Sequence, residues 1–153
     1  MRLEEIQLED AKKMLDMATA ENFYIFANSD IHASLYDYFE NLNIGDEFRI
    51  FNLMKGRKRI GLIISTGVDE ELNWNLGFLY LKPKYRGRGF GITMLGLFAN
   101  KARELKFKGI STECWGTNNI VQHLFEKFGF KKQEEIFEDR ENRESTITYL
   151  LKL

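Results

Sequence analysis

The alternation of apolar and polar residues along the chain predicts a mixture of strands and helices. Apolar residues at helical spacing predict one helix starting at Glu9 and Asp10 and a second starting near Ser29 or Asp30. The aromatic segment between them, residues 22–28, fits neither the helical nor the strand period. Apolar and alternating runs predict strands at residues 2–7, 47–54, 59–66, 77–81, 110–115, 131–137 and 145–153.

Residues 77–107 combine a predicted strand, a glycine-rich turn and a predicted helix. Pro83 ends the strand because proline has no backbone N–H to donate to a sheet. Gly87, Gly89 and Gly91 then alternate with larger residues just before a run with helical spacing. Backbone N–H groups at a helix N-terminus attract anions, so this stretch predicts a phosphate-binding turn.

The spacing of the glycines separates this turn from two better-known phosphate sites. The order is G-x-G-x-G, whereas dinucleotide-binding folds use G-x-G-x-x-G after an early βαβ unit. No Gly-Lys-Ser/Thr follows, which excludes the nucleoside-triphosphate loop. A glycine turn by itself also occurs as a simple connection between elements, so the surrounding residues must decide.

The stretch resembles the acyl-CoA-binding motif of the GNAT acetyltransferase superfamily, Arg/Gln-x-x-Gly-x-Gly/Ala after a strand. Arg86, Gly89 and Gly91 stand at those positions, and Asn118 and a helix ending in Gly129-Phe130 follow at the family's spacing. The resemblance covers about residues 72–139. The length of 153 residues and the lack of a linker predict a single domain spanning residues 1–153. For that domain the resemblance implies an α/β (α+β) fold, with a central mixed sheet whose two central strands splay apart and about four flanking helices.

The resemblance implies acetyl-CoA as co-substrate and no metal. Its pyrophosphate would lie on the N–H groups of residues 86–92, with Arg86 and Arg88 screening its charge, although Arg88 is also consistent with a plain surface residue. Asn118 would grip the pantetheine arm, or act only as a helix N-cap. The expected contacts are Leu79, Leu81, Arg86, Gly87, Arg88, Gly89, Phe90, Gly91, Ile92, Asn118 and Phe125.

Attack on a thioester requires a neutral amine, and therefore a base that removes the ammonium proton. Glu113 lies five residues before Asn118. In the family branch that acetylates protein N-terminal alanines, a glutamate at that position is the proposed base, so Glu113 is the catalytic candidate here. The alternative is a strand carboxylate that faces solvent or pairs with a lysine.

Phe125 is the clearest departure from the family pattern. The family usually has a tyrosine at this position, seven residues after the asparagine, which protonates the departing CoA thiolate. Phenylalanine leaves three interpretations: another group such as Tyr80, Tyr24 or Tyr36 protonates the thiolate, the thiolate leaves unassisted, or catalysis is lost. The sequence thus predicts an N-acetyltransferase acting on a primary amine by direct transfer in a ternary complex. A noncatalytic acyl-CoA-binding or sensing domain is the alternative.

Composition narrows the remaining classes. The net charge of −1 argues against nonspecific nucleic-acid binding, and without a signal peptide or long apolar run we expect a cytoplasmic protein without a membrane anchor. The single cysteine and two histidines show no metal-ligand spacing. The acceptor remains open between a small-molecule amine and a peptide N-terminus; the resemblance places Phe23, Tyr24 and Tyr36 near its site. The final strands offer an edge for a homodimer.

The predicted hairpin at residues 47–66 carries a cluster of basic residues. Lys55, Arg57, Lys58 and Arg59 lie at or beside its turn. Such a cluster could meet an acidic partner, but it is more typical of charges that keep a hairpin solvated.

Overall fold

The computed structural model describes residues 1–21, 34–42, 48–138 and 145–153, and these form an α/β structure built on one mixed sheet. The predicted helix start near Ser29 and the residues Phe23 and Tyr24 lie outside the described residues. In chain order the elements are β1 (Arg2–Ile6), α1 (Leu8–Ala20), α2 (Leu35–Leu42), β2 (Arg49–Lys55), β3 (Lys58–Val68), β4 (Asn73–Leu81), a short 3-10 turn (Pro83–Tyr85), α3 (Phe90–Glu104), β5 (Gly109–Trp115), α4 (Asn119–Phe128), β6 (Lys131–Ile136) and β7 (Thr146–Lys152).

The two central strands of the sheet diverge, as predicted. The strand order is β1-β2-β3-β4-β5-β7-β6, and β4 and β5 run parallel while the other neighbours are antiparallel. The β4–β5 pairing stops at Leu76 and Thr112, although β4 continues to Leu81 and β5 to Trp115. An opening therefore lies between the ends of the two strands.

A β-bulge at Gly77 accompanies this divergence. Leu76 pairs with Ser65 and Phe78 with Ile64, so Gly77 is an extra residue with no partner in β3. A Cβ at Gly77 would lie 2.4 Å from Cγ2 of Thr66, which leaves room only for glycine. The extra residue reverses the alternation of side chains between the two faces of β4.

Helices cover both faces of the sheet. α3 and α4 pack on one face, where Trp74 of β4 stacks on Phe98 with ring centroids 4.4 Å apart. α1 and α2 pack on the other, where Phe39 meets Phe78 edge-on at 5.3 Å. Because of the bulge, residues of β4 before Gly77 belong to the α3/α4 core and Phe78 after it belongs to the α1/α2 core.

The predicted mixed sheet and four helices are confirmed, with one notable shift of a boundary. β4 begins at Asn73, four residues before the predicted Gly77. The bulge explains the difference, since the apolar pattern on either side of Gly77 is out of phase and only the later half reads as a continuous strand. Within the described residues, no helix is both long and apolar enough to cross a membrane.

Candidate functional site

The turn that joins β4 to α3 has the geometry predicted for an anion-binding turn. Gly87 and Gly89 adopt φ values of +71° and +83°, in the left-handed region that favours glycine, and Gly89 is the N-cap of α3. A Cβ at either glycine would meet nothing within 4 Å, so the space above the turn is open. The first N–H groups of α3 have no partner inside the helix, and its first turn contains no acidic residue. An anion is favoured there.

Two cations flank the Phe90 ring at the start of α3. The Arg88 guanidinium lies 5.6 Å from the ring centroid and the Lys55 ammonium, from the end of β2, lies 5.8 Å away. Sequence analysis placed Lys55 only in a basic hairpin cluster. Its place beside the turn depends on how β2 lies against α3, which no local pattern reveals.

Arg86 is held by three groups. Its Nε donates to the Leu81 carbonyl at 2.9 Å, a terminal nitrogen donates to the Glu21 carboxylate at 2.8 Å, and the guanidinium lies 5.3 Å from the centroid of the Tyr80 ring. Glu21 also accepts a hydrogen bond from the Tyr80 hydroxyl. These contacts fix Arg86 in place beside the turn, and the Glu21 carboxylate already balances part of its charge.

Glu21 is a functional candidate that sequence analysis missed. Burial raises the pKa of this carboxyl, but hydrogen bonds from Tyr80 and Arg86 outweigh burial and leave the pKa below its ordinary value. Glu21 ends α1 and lies 65 residues from Arg86 in the chain, so no local motif connects the two.

An apolar cleft of about 210 Å³ lies between β4 and α4, next to the turn. Since the Lys82 N–H bonds to Ile60 of β3, strand alternation turns the backbone groups of Leu81 and Leu79 away from β3, toward the opening. Five of the eight lining residues are predicted cofactor contacts: Leu79, Leu81, Arg86, Gly91 and Asn118. The lining is Leu79, Leu81, Arg86, Gly91, Asn118, Ile120, Val121 and Leu124.

Asn118 and Gly91 define the end of the cleft where the two helices begin. The Asn118 side chain accepts a hydrogen bond from the Val121 N–H at 3.2 Å, so it caps α4 and lines the cleft at once. A Cβ at Gly91 would lie 3.3 Å from the Leu124 methyl carbons. The small residue lets α3 approach α4 closely.

The structure places Phe125 in the core and not in the lining of the cleft. Phe125 is 1% exposed, and the centroid of its ring lies 5.2 Å from the Phe130 ring centroid and 5.5 Å from the Tyr149 ring centroid. On the same helix, Val121 and Leu124 line the cleft instead. The structure thus shows a packing role for Phe125, while its role as a cofactor contact stays a prediction.

Of the predicted substitutes for a general acid, the two that the structure describes do not line this cleft. Tyr80 belongs to the α1/α2 core, and burial together with its hydrogen bond to Glu21 raises the pKa of its hydroxyl. Tyr36 is half-buried on α2, with the Lys12 ammonium 5.4 Å from its ring centroid. Tyr24 lies outside the described residues.

Glu113 lies on the opposite face of the sheet from the cleft, beside the same opening. Its exposed side chain lines a cavity of about 100 Å³ under α2, shared with the bulge residue Gly77 and with Tyr38, Thr66 and Asn75. A carboxylate in this position could accept a proton from a group that enters the opening from the α2 side.

The cysteine and histidine residues do not form a reactive cluster in the described part of the chain. Cys114 is fully buried, His123 is exposed on α4, and His32 lies outside the described residues. Across residues 1–21, 34–42, 48–138 and 145–153, no three or more His, Cys, Asp and Glu residues are grouped so as to hold a metal ion.

Comparison with known proteins gives a family match over most of the chain. The model of the acetyltransferase (GNAT) family matches residues 11–130. No curated protein matches the sequence.

Several solved structures share the fold at low sequence identity. Spermidine N-acetyltransferase from Vibrio cholerae, in complex with CoA and spermine, has a TM-score of 0.80 and 16% identity over 98% of this chain and 94% of that one. The ribosomal-protein-S18-alanine N-acetyltransferase from Escherichia coli has a TM-score of 0.75 and 17% identity over 98% and 92%. The IAA acetyltransferase from Bacillus cereus has a TM-score of 0.75 and 13% identity over 99% and 98%. At these identities the likeness concerns the fold alone.

Proposed function

Because the chain belongs to the GNAT acetyltransferase family, we propose that it transfers an acetyl group from acetyl-CoA to a primary amine within a ternary complex. The observation that carries the proposal is the opening between β4 and β5. A cleft bordered by the glycine turn lies on one face of the sheet, and a cavity containing Glu113 lies on the other. Two substrates could therefore approach the same opening from opposite faces.

The glycine turn would hold the pyrophosphate of acetyl-CoA. The N–H groups of Gly87, Gly89 and the first turn of α3 would donate to its oxygens, and Arg88 and Lys55 would supply positive charge. Arg86 would act mainly by fixing the turn, because Glu21 and the Leu81 carbonyl already occupy its donors.

The cleft would hold the pantetheine arm against β4. The backbone edge of β4 at Leu79 and Leu81 faces away from β3 and would bond to its amides as a neighbouring strand would, beside the Leu81 carbonyl's hydrogen bond from Arg86. Val121 and Leu124 would cover its apolar carbons. Asn118 borders this path while it caps α4.

Glu113 would act as the general base. Its carboxylate would take a proton from the acceptor ammonium, directly or through water, and the amine lone pair would attack the thioester carbonyl carbon. The nitrogen of the tetrahedral intermediate then loses a second proton to solvent. As the C–S bond breaks, its electron pair leaves with sulfur as the CoA thiolate, which solvent can protonate. A thiol pKa of about 8–9 makes the thiolate a tolerable leaving group near neutral pH, so Phe125 would not prevent turnover.

The acceptor would be a small-molecule amine or a protein N-terminus. Both kinds occur among the structural neighbours, as spermidine N-acetyltransferase and as the ribosomal-protein-S18-alanine N-acetyltransferase. The chain's own acceptor specificity would depend on the α1–α2 region, which borders the Glu113 cavity through Tyr38, Phe39 and Leu42 of α2.

Ligand binding and turnover test the proposal in two steps. Acetyl-CoA and CoA should raise Tm, whereas ATP and NAD at the same concentration should not; at a hundred times Kd the gain in stability is about 2.7 kcal/mol. A panel of amines, followed by thiol release, should then give turnover that Glu113→Gln reduces roughly a hundredfold or more. Glu134→Gln removes an exposed strand carboxylate elsewhere and should leave the rate unchanged. No shift with saturating acetyl-CoA would refute the proposal.

A noncatalytic acyl-CoA sensor is the second candidate, and Phe125 is the observation that favours it. The Phe125→Tyr variant separates the two, because it restores the hydroxyl that the family usually has at this position, on the helix whose residues Val121 and Leu124 line the cleft. A gain in transfer would indicate a working but unassisted site. If both the wild type and Phe125→Tyr bound acetyl-CoA but transferred acetyl to no amine, the result would favour the sensor.

A further inference from the structure

A second cavity, of about 280 Å³, lies between α1 and the β2–β3 hairpin and shares no lining residue with the cleft. It is separate from the Glu113 cavity as well. Its polar lining comes from α1, from the β2–β3 hairpin and from the end of β4. These residues are Asp10 and Lys13 of α1, Asn52 of β2, Arg57 of the hairpin turn, Arg59 of β3, and Lys82 at the end of β4.

Asn52 is the buried polar residue of this cavity. It is 1% exposed, and its side-chain Nδ2 has no hydrogen-bond partner among the described residues. Its neighbours Phe51 and Leu53 point into the α3/α4 core, so alternation turns Asn52 toward α1. A buried amide donor without an acceptor destabilises a fold by about 1–3 kcal/mol, which indicates that an acceptor belongs in the cavity.

The charges around Asn52 are strongly unbalanced. Four cations and the single carboxylate of Asp10 line the cavity, and none of the four cations forms an ion pair within the described part of the chain. Simple solvation of a hairpin would account for Arg57 and Arg59. It does not account for Lys13 and Lys82, which converge on the same cavity from α1 and β4.

We propose that this cavity binds a compact phosphate-bearing anion, such as a phosphomonoester dianion. One phosphate oxygen accepts from the Asn52 amide, and the guanidinium groups of Arg57 and Arg59 bind the others. The net charge of the lining, about +3 when Asp10 is ionised, matches a ligand with two or more negative charges. The volume fits a small group, because whole drug-sized ligands occupy cavities of roughly 300–1,000 Å³.

Titration of the ¹⁵N-labelled full chain with inorganic phosphate, at constant ionic strength with chloride as balance, tests the proposal. The side-chain amide resonances of Asn52 should shift saturably. The backbone amides of Gly89 and Gly91 report separately on phosphate at the α3 turn. Shifts confined to those glycines, or no saturable shift of the Asn52 amide, would overturn the proposal.

Charge and amide variants then identify the groups that bind. The double variant Arg57→Gln/Arg59→Gln should weaken phosphate binding about tenfold or more, because each guanidinium makes a charge-assisted contact. Lys58→Gln removes a charge from the same hairpin but outside the cavity lining, and should leave the affinity unchanged. If the double variant and Lys58→Gln lost the same phosphate affinity, the hairpin would only attract anions through its overall charge, and the proposed site would be overturned.

Asn52→Leu separates a ligand contact from a structural amide. Leucine removes the unpaired donor from an apolar strand, so the fold should be retained or stabilised. Phosphate affinity should nevertheless fall several-fold. An unchanged affinity would mean that the amide serves the fold alone and would overturn the assignment.

Discussion

The Glu21 carboxylate joins the end of α1 to the turn that follows β4, and replacing it tests whether this junction stabilises the site. Its two oxygens accept from the Tyr80 hydroxyl and from the Arg86 guanidinium. Glu21→Gln keeps the size of the side chain but puts an N–H₂ group in place of one acceptor oxygen. The remaining oxygen can still accept from Arg86 and the new N–H₂ can donate to the Tyr80 hydroxyl oxygen, so the variant loses the carboxylate charge and the hydrogen bond that Tyr80 donates to it.

We expect this variant to lose about 1–2 kcal/mol in the free energy of unfolding at pH 7. A hydrogen bond to a charged group contributes roughly 1.5–3 kcal/mol. The Glu21 and Arg86 side chains are 28% and 39% exposed, however. Solvent screening therefore limits the ion pair to about 0.2–1 kcal/mol. With a slope of about 2 kcal/mol per M, the urea midpoint should fall by roughly 0.5–1 M.

The effect should depend on pH in a defined direction. Burial raises the pKa of Glu21, but the hydrogen bonds from Tyr80 and Arg86 hold it below its ordinary value. The folded state therefore binds this proton less readily than the unfolded state. The stabilisation is complete above the unfolded-state pKa and is lost as the pH falls through the lowered one. The difference in urea midpoint between wild type and Glu21→Gln should therefore shrink as the pH is brought from 7 to about 3.

Asp16→Asn is the matched control on the same helix. Asp16 pairs with Lys12 at 2.6 Å, but both side chains are largely exposed, so the urea midpoint should barely move. The two variants thus remove ion pairs of similar length that differ in their surroundings. Two results would refute the explanation: equal urea midpoints for Glu21→Gln and Asp16→Asn at pH 7, or a difference between wild type and Glu21→Gln that stays constant on acidification.

Two glycines give further predictions. Gly77→Ala should destabilise by about 1–3 kcal/mol because its Cβ would overlap Thr66, and the double variant with Thr66→Ala should recover part of that loss in urea unfolding. Additive losses would contradict this explanation. Gly89→Ala and Gly56→Ala should each cost about 1–2 kcal/mol from left-handed strain. Only Gly89→Ala should also weaken acetyl-CoA binding by calorimetry, and equal affinities in the two variants would remove the turn from the ligand site.

Features that depend on neighbouring residues could be predicted from the sequence. The strand, the glycine turn and the start of α3 follow from short-range rules, because Pro83, Gly87 and Gly89 each restrict the backbone locally. The N-cap role of Asn118 was open beside a ligand role, and the structure shows the cap while leaving the side chain at the cleft.

Features that depend on packing could not be predicted from the sequence. Glu21 and Lys55 reach the turn only after α1 and β2 have taken their places against the sheet. Phe125 is another example. Its spacing from Asn118 predicts a ligand contact, but the spacing does not reveal that the ring packs against Phe130 and Tyr149 in the core. Spacing in a motif fixes the order of residues and leaves the direction of each side chain to the surrounding core.

The bulge at Gly77 connects the separate parts of the site. Pairing between β4 and β5 ends at Leu76, just before the bulge, and the reversed alternation after it sends Tyr80 toward Glu21, which holds Arg86. A domain that only bound acyl-CoA would need the cleft and the glycine turn. It would not need a cavity on the far side of the opening, with a carboxylate beside the bulge. The position of Glu113 in that cavity therefore favours transfer over sensing.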